Sequence, residues 1–396
     1  MKIKSIKNIK NLQGKVVLLR VDFNVPIKDQ KVREEYKIKM SLPTIEYLLR
    51  KGARVVAMSH LGSPKGKVNP DLSLAPIAKS LQRLLSERAY KRKIKFVSGV
   101  VDQKVFAEVA ELKNGELLLL ENLRFEIGEE KNESAFAKKL ASLGDIYIND
   151  AFAVSHRDQA SVSAIKKYIT SYAGLLLEDE VSALAKINKP KQPLIAVMGG
   201  SKVDTKAPLI EKMYKKAEFI LLGGALANNF FKVLGYEVGA SLIDDDSLVF
   251  AKKFVKRGRL DQKIILPCDV VVLSAGKYLA KSSDNLTKKD RIVDIGPKTV
   301  EMYSLIIKKA ATVVWNGPMG CFEEKSSSFG TLAVGRIIAA RSKGAAFGLV
   351  GGGETAEAIK LTKMSQYIDW VSTAGGAMLA YLGGEKMPGL TKIVSK

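Results

Sequence analysis

Several residue types that build common functional sites are scarce in this chain. Among its 396 residues only two are cysteine and two are histidine. Cys268 and Cys321 lie far apart and form no CxxC pair, which indicates a reducing compartment and excludes a disulfide framework. Their apolar surroundings predict two small core residues. His60 and His156 are too few to build a histidine-rich metal site.

Long apolar runs are also missing. No run is long enough to span a bilayer, and no apolar segment of the kind found in signal peptides follows the basic N-terminus, residues 1–4. The sequence therefore predicts no membrane span and a cytoplasmic location.

Acidic residues are few compared with basic ones. The chain has 64 Lys and Arg against 41 Asp and Glu, a formal charge of +23. Such a surplus indicates a polyanionic partner: nucleic acid, anionic lipid or phosphorylated substrates. A diffuse lysine-rich surface is the alternative. Because long basic blocks are few and aromatic residues make up only 7%, small phosphorylated molecules are favoured over nucleic acid.

Apolar runs alternate with amphipathic segments throughout the chain. Unbroken apolar strands separated by helices predict parallel sheets covered on both faces, and the length predicts two domains. The strands expected in the first half are 15–23, 54–59, 95–97, 115–120 and 145–148, with helices at 42–49, 74–85, 104–112 and 134–143. Residues 171–187 are expected to form a connecting helix. The strands expected in the second half are 194–198, 219–222, 264–266, 269–273, 312–315 and 347–350, with helices at 207–215, 225–234, 247–257, 299–310, 331–341, 355–361 and 377–382.

Polar residues follow the strands of the first half. Ligands of parallel sheets bind at the carboxyl ends of the strands, so these residues suggest one convergent anion site. Asp22, Asn24, Asn122 and Asn149 each have a simpler explanation as a helix cap or turn former, whereas Arg124 and Arg157 are harder to explain in that way. The residues are Asp22, Asn24, His60, Glu121, Asn122, Arg124, Asn149, Asp150, His156 and Arg157.

Glycines follow the strands of the second half, and one such stretch also carries lysines. The apolar run from Pro193 ends in Gly199 and Gly200, followed by Lys202 and Lys206. This pattern predicts a strand, a tight turn that lets backbone approach an anion, and a helix. An ordinary strand-to-helix turn is the alternative, and the spacing is not that of a Walker A loop. The other glycine turns are 223–224, 317–320, 351–353 and 375–376, and their number favours a nucleotide site.

Seven motifs together resemble the phosphoglycerate kinase family, in the family's order and over almost the whole chain. They are Arg20-Val-Asp-Phe-Asn-Val-Pro26, Ser59-His-Leu-Gly62, Glu121-Asn-Leu-Arg-Phe125, Asn149-Asp-Ala-Phe152, Gly199-Gly-Ser-Lys202, Val314-Trp-Asn-Gly-Pro-Met-Gly320 and Ser372-Thr-Ala-Gly-Gly376.

The resemblance implies an α/β fold with two Rossmann-like, doubly wound and mainly parallel domains that face each other across a cleft. Residues 1–170 would bind 3-phosphoglycerate or 1,3-bisphosphoglycerate, and residues 191–375 would bind ADP or ATP with Mg²⁺. Residues 171–190 would form the helix that connects the two domains. Residues 376–396 would pack back on the first domain. The reaction implied is reversible transfer of an acyl phosphate to ADP by a monomer, with nucleic acid bound non-specifically at most.

The resemblance also implies individual roles. Asp22, Asn24, Lys37, His60, Arg124 and Arg157 match the acid-substrate site. Lys37, Lys206, Gly375 and Gly376 match the groups around the transferring phosphate. Gly199, Gly200, Lys202, Lys206, Asn316, Glu323, Gly351, Gly352, Gly353, Glu354 and Thr355 match the nucleotide site, with Glu354 as the Mg²⁺ ligand.

The chain departs from the family pattern at several of these positions. Lys37 stands where the family has a catalytic arginine, with Arg33 nearby, and Glu354 replaces an aspartate. Ser63 replaces a phosphate-facing arginine, with Lys65 as a stand-in. The remaining departures are Gln159 for a histidine, and Ala153 and Ala374 for glycines. The changes at Lys37, Ser63, Glu354 and Ala374 keep open a non-catalytic member that still binds nucleotide, and the formal charge of +23 keeps open a basic nucleic-acid-binding protein.

Overall fold

The computed structural model describes residues 2–201, 206–256 and 263–395. The chain divides into two compact units, the first comprising Met1–Val181 and Lys386–Lys396 and the second Ser182–Glu385. The boundaries differ from those expected, 170/171 and 375/376. The first lies inside the helix Leu175–Asn188. The helix Gly375–Gly383 belongs to the second unit, where it packs on the helix Ala207–Lys216.

A six-stranded sheet forms the centre of the first unit, and all its neighbouring strands are parallel. From edge to edge its strands are Lys95–Phe96, Leu117–Leu119, Arg54–Met58, Val16–Arg20, Ile146–Asn149 and Ser171–Ala173. Val16–Arg20 comes first in the chain and lies in the middle, with later strands on both sides. The strand order therefore reverses beside it, which is where doubly wound sheets bind ligands.

Helices cover both faces of this sheet, as the unbroken apolar strands predict. They are Tyr36–Arg50, Ala75–Ser86, Gln103–Ala110, Ile127–Glu130, Ser134–Ala141 and the start of Leu175–Asn188. Buried Val17, Leu19 and Ile148 of the strands pack with Ile45 and Leu81 of the helices in one core. Two short antiparallel pairs complete the unit: Ile27–Lys28 with Lys31–Val32, and Lys2–Ile3 with Val394–Ser395.

The segment 171–187 is not helical throughout, as was expected. Its first residues, Ser171–Ala173, form the edge strand of the sheet, and the helix begins only at Leu175. Asp150 explains the start of the helix, because its Oδ1 accepts hydrogen bonds from the backbone N–H groups of Leu176 and Leu177.

A second six-stranded parallel sheet forms the centre of the second unit. From edge to edge its strands are Ile264–Ile265, Phe219–Leu222, Leu194–Met198, Thr312–Asn316, Phe347–Gly351 and Trp370–Val371. Leu194–Met198 again comes first and lies in the middle. The carboxyl ends of the strands carry the glycine turns, so these turns share one edge of the sheet.

A three-stranded antiparallel sheet in the second unit was not predicted. Asp269–Ser274, expected to join the parallel sheet, lies between Lys277–Ser282 and Arg291–Ile295. The helices of the unit are Ala207–Lys216, Gly224–Val233, Asp245–Lys256, Pro297–Ile307, Phe329–Ser342, Gly353–Leu361 and Gly375–Gly383. Short 3-10 helices lie at Ile6–Asn8, Pro70–Leu72, Leu123–Phe125, Phe152–Val154, Ala164–Lys167, Lys325–Ser327, Ser365–Tyr367 and Pro388–Leu390.

The two cysteines are not core residues, since Cys268 and Cys321 are both exposed free thiols. That prediction was wrong because both cysteines lie in loops, where an apolar neighbourhood in sequence does not mean burial. Across the described residues no helix has the length and apolar character needed to cross a bilayer.

Candidate functional site

The first unit gathers its predicted site residues where the strand order reverses. Asp22 and Asn24 follow the central strand Val16–Arg20, and His60 follows its neighbour Arg54–Met58. Asp22 is buried and its Oδ2 accepts a hydrogen bond of 2.8 Å from Nζ of Lys37, on the helix Tyr36–Arg50. Burial raises the pKa of Asp22, but the positive charge and hydrogen bond of Lys37 outweigh it, so the net shift is downward. Asp22 is therefore ionised and holds Lys37 in place.

His60 is buried and held by a chain of polar groups. Its Nδ1 lies 3.2 Å from Nη2 of Arg20, so Nδ1 accepts and Nε2 carries the hydrogen. Arg20 Nε donates to Ser161 Oγ at 2.9 Å, and the carboxylate of the fully buried Glu129 accepts from both Oγ and N–H of Ser161. Burial lowers the pKa of His60 well below its usual value, despite the opposing effect of Asp22. His60 is thus a neutral hydrogen-bond donor.

Arg124 is buried with part of its hydrogen-bonding capacity unused. Its Nη1 donates to the carbonyl of Gly62, and its Nε lies 3.4 Å from Glu130 Oε1 without hydrogen-bond geometry. Nε and Nη2 are buried and have no hydrogen-bond partner among the described residues. Burial and the charge of Arg157, which is exposed, lower the pKa of Arg124. The N–H groups of Arg124 that have no partner in the ranges described, together with the positive charge of Arg157, favour binding of an anion.

The loop after the second strand is fixed by amide side chains. Asn24 Oδ1 accepts from the backbone N–H of Gly62 at 3.0 Å. Asn122 is fully buried and exchanges hydrogen bonds with the backbone of Leu61. Lys65, the expected stand-in for an arginine at Ser63, is exposed and left-handed, with φ +57°.

Four polar residues at strand ends serve the fold, as the simpler explanation predicted for Asn122 and Asn149. Glu121 accepts from the backbone N–H of Leu74 at 2.7 Å, and Asn149 Oδ1 accepts from Ala151 N–H. Asn122 and Asp150 hold backbone N–H groups in the same way. Arg33 pairs with Asp29 at 2.7 Å, so Lys37, and not Arg33, is the cation on Asp22.

In the second unit the glycine turns interlock at the point where the strand order reverses. Gly199 N–H donates to Asn316 O at 2.9 Å and Gly200 N–H to Pro318 O at 2.7 Å. Gly200 has φ +77°, and a Cβ there would lie 2.6 Å from Nζ of Lys206. The turn therefore requires glycine.

Lys206 lies directly under this turn. It is buried, precedes the helix Ala207–Lys216, and its Nζ donates to the carbonyl of Gly199. Lys202, the other predicted lysine, lies outside the described residues.

Asn316 and Thr355 join the next two turns. Asn316 Nδ2 donates to Gly351 O at 2.7 Å, whereas its buried Oδ1 lacks a hydrogen-bond partner in the described part of the chain. Thr355 Oγ1 accepts from Gly317 N–H at 2.7 Å. Gly352, with φ +102°, lets the backbone pass close to the Asn316 amide. An unused buried oxygen beside exposed backbone is a polar anchor available to a ligand.

The starts of two helices lie side by side at this edge. A Cβ on Gly375 would be 3.2 Å from Gly352 Cα, so the helices Gly353–Leu361 and Gly375–Gly383 begin next to each other. Gly376 is exposed in the first turn of the second helix. Two adjacent helix N-termini favour negative charge. Ala374, which replaces a family glycine, has φ −125°, a backbone conformation that alanine adopts without left-handed strain.

The two predicted carboxylates of this unit are exposed. Glu354 lies in the first turn of the helix Gly353–Leu361, and Glu323 follows the 317–320 turn. Within the described ranges, no group of three or more His, Cys, Asp or Glu side chains is arranged to hold a metal ion by itself.

Three residues of the first site were missed as functional candidates: Arg20, Glu129 and Ser161. The sequence carried a signal for Arg20, because a charged residue ends an apolar strand there. In the structure Arg20 is fully buried. Glu129 and Ser161 had none, because they meet only through tertiary structure.

Comparison with known proteins identifies the family. A model of the family described as phosphoglycerate kinase matches residues 6–385. Phosphoglycerate kinase of Moorella thermoacetica is 41% identical over 97% of this chain and 98% of its own length, and that of Thermosipho africanus is 42% identical over 98% and 96%. The structure of phosphoglycerate kinase from Coxiella burnetii is similar with a TM-score of 0.86, at 37% identity and 99% of both chains. The Pyrococcus horikoshii structure gives a TM-score of 0.83 at 32% identity and 98% of both chains. The chain belongs to the phosphoglycerate kinase family.

Proposed function

We propose that this chain catalyses the reversible transfer of a phosphoryl group between 1,3-bisphosphoglycerate and ADP, giving 3-phosphoglycerate and ATP, as a step of glycolysis. Within the family, the observation that carries the proposal is Arg124. Its buried Nε and Nη2 have no hydrogen-bond partner among the described residues. A buried guanidinium with unused N–H groups is suited to a phosphate, which accepts several charge-assisted hydrogen bonds.

The first unit would bind the acid substrate. Arg124, Arg157 and His60 would hold the phosphate that does not react, with His60 donating from Nε2. Asp22 and Asn24 would hold the substrate hydroxyl and neighbouring polar atoms, with Asp22 accepting from the hydroxyl. Two contacts support this proposal. The 2.8 Å hydrogen bond from Lys37 holds Asp22, and the 3.2 Å contact with Arg20 holds His60, so both side chains are oriented before the substrate binds.

Lys37 would carry out the role that the family gives to an arginine. Its ammonium would lie between the substrate carboxyl and the phosphoryl group in transit, where positive charge offsets the charge of two anionic reactants. Lysine supplies that charge without the bidentate geometry of a guanidinium.

The second unit would bind the nucleotide. Its phosphates would lie over the turns at Gly199–Gly200 and 351–353, with Lys202 and Lys206 beside them and Asn316 Oδ1 as a polar anchor. Gly375 and Gly376, at the start of a helix, would direct backbone N–H groups at the transferring phosphate. Glu323 would contact the ribose.

Magnesium fits this site as a partner of the nucleotide. Mg²⁺ keeps several waters and binds through substrate phosphates and one or two carboxylates, which matches the exposed Glu354 beside the turn 351–353. When bound, the ion would offset phosphate charge.

The two alternatives that the sequence left open gain no support. An inactive nucleotide-binding member rested partly on Ala374, whose backbone is unstrained. Binding to nucleic acid rests on net charge alone and would be non-specific. We infer that the enzyme works as a monomer in the cytoplasm.

A coupled assay tests the proposal. ADP formed from Mg-ATP and 3-phosphoglycerate is measured by coupled NADH oxidation, with Lys206→Ala as the inactive control and reactions lacking 3-phosphoglycerate as blanks. We expect turnover that depends on both substrates. Wild-type turnover no higher than that of Lys206→Ala would contradict the proposal.

A further inference from the structure

A lysine-lined recess in the first unit lies where the C-terminal segment meets residues 158–171. It consists of two cavities of about 190 and 320 Å³, which share Lys166, Lys167 and Lys392 as walls. Lys386 lines one cavity and Lys4 the other. None of the residues lining the recess belongs to the predicted substrate site.

Side-chain hydrogen bonds fix two lysines of the recess, Lys166 and Lys392. Lys166 is 5% exposed, and its Nζ donates to the carbonyls of Pro388 and Thr391, at 3.0 Å in the latter case. Lys392 has the unusual φ of +66° for a side-chain-bearing residue, and its Nζ donates to Lys166 O at 3.2 Å. The C-terminal segment and the 3-10 helix Ala164–Lys167 are thus joined through the two lysines.

Lys4 is anchored by its backbone. Its N–H donates to Ile393 O and its carbonyl accepts from Ala173 N–H, both at 2.8 Å. These bonds hold Lys4 between the C-terminal segment and the edge strand of the sheet, at the rim of the recess.

The charge of the recess is not balanced by protein groups. Asp158 is the only carboxylate lining it in the described residues, and none of the five lysines forms a salt bridge there. Burial and the charge of Lys392, partly offset by Asp158, lower the pKa of Lys166 to about 7. Lysines held close together in this way favour an anion that neutralises several of them at once.

We propose that this recess is a binding site for a small multivalent phosphate, an oligophosphate or a molecule carrying several phosphate groups. Lys4, Lys167, Lys386 and Lys392 contact its oxygens, and Lys166 anchors the wall behind them. Two adjoining cavities of limited volume suit a short chain of phosphates. A ligand here connects the C-terminal segment to residues 163–171 and stabilises their contact. The site is independent of the proposed catalytic reaction.

Hydrogen–deuterium exchange with inorganic tripolyphosphate tests the site on the full chain. We expect slower exchange in segments 163–171 and 386–395 of the wild type. The variant Lys4→Gln/Lys167→Gln/Lys386→Gln should lose this protection, and its affinity for tripolyphosphate in the recess should fall about tenfold because three charge-assisted contacts are lost.

A matched control separates a built site from general attraction. Lys91→Gln/Lys93→Gln/Lys113→Gln removes the same charge from exposed positions of the same unit and should keep the protection. Equal loss in both triple variants, or no protection of the two segments in the wild type, would overturn the proposal. Stronger protection of these segments by a short single-stranded RNA than by tripolyphosphate would also overturn it, because the recess would then serve a macromolecular polyanion. The kinase assay should give the same turnover for both triple variants, whether or not the recess binds.

Discussion

Replacing Lys37 by methionine removes the one cation that the structure holds on the Asp22 carboxylate within the described residues. Lys37 Nζ lies 2.8 Å from Asp22 Oδ2, and the two side chains are 27% and 9% exposed. A charge-assisted contact of this kind contributes about 1–2 kcal/mol to stability once its partial exposure is allowed for. Loss of the Lys37 charge should affect catalysis more than stability. Removal of one group that stabilises transition-state charge typically lowers kcat by about 10²–10³.

Lys39→Met is the matched control. Lys39 lies on the same helix and pairs with Glu35 at 3.5 Å, but its side chain is 57% exposed. Steady-state kinetics and urea unfolding of both variants separate catalysis from stability. We expect Lys39→Met to stay within about twofold of the wild type and Lys37→Arg to preserve or raise activity, because a guanidinium keeps the charge and adds bidentate geometry. Wild-type activity in Lys37→Met, or an equal loss in Lys39→Met, would refute the role of Lys37.

The pH dependence of stability gives a further check on the pair. The pKa of Asp22 in the folded chain lies below its usual value of 3.8. Its contribution is therefore fully present above pH 3.8 and is lost as the pH falls through the lowered pKa. The stability difference between wild type and Lys37→Met should be largest near neutral pH and shrink below about pH 4. A difference that stays constant on acidification would contradict the ion pair.

Three further predictions concern single residues. Asn316→Asp places a carboxylate beside the proposed nucleotide phosphates and should raise the KM for ATP about tenfold by repulsion; an unchanged KM in steady-state assays would remove Asn316 from the nucleotide site. Gly200→Ala requires a left-handed alanine whose Cβ would meet Lys206 Nζ at 2.6 Å, so urea unfolding should give a loss of at least about 1–2 kcal/mol; wild-type stability would argue against this turn. The pKa of His60 lies well below the usual 6.5, so below pH 6.5 the side chain gains a proton when the protein unfolds, and stability falls on acidification. His60→Gln should therefore flatten the profile of melting temperature against pH between pH 8 and 5. Identical profiles of variant and wild type would contradict a buried neutral His60.

Periodicity predicted the two parallel sheets well because their strands are buried on both faces and read as unbroken apolar runs. Periodicity did not predict strands that lack burial on both faces. Lys277–Ser282 is largely exposed and contains two lysines and a serine, so it carries no buried-strand signal. The helix Tyr36–Arg50 was expected only from Leu42, because its first turns are lysine-rich and Pro43 lies inside it.

The candidate site shows the same division. Residue types at strand ends, and above all the family motifs, indicated Asp22, His60 and Arg124 from the sequence alone. Their pairing did not follow from sequence: the contact of Lys37 with Asp22, and the chain from Glu129 to His60, depend on which side chains meet in three dimensions. The sequence did not predict the lysine recess either, because its lining residues come from parts of the chain that are far apart in sequence.

Direct detection of the transferred group tests the central claim. Acyl phosphates react with hydroxylamine, so the enzyme is incubated with Mg-ATP, 3-phosphoglycerate and hydroxylamine, and both ADP and the hydroxamate of 3-phosphoglycerate are quantified. The proposed reaction predicts equal amounts of the two products, absent without enzyme and strongly reduced in Lys206→Ala. Formation of ADP without hydroxamate, or of neither product, would contradict it.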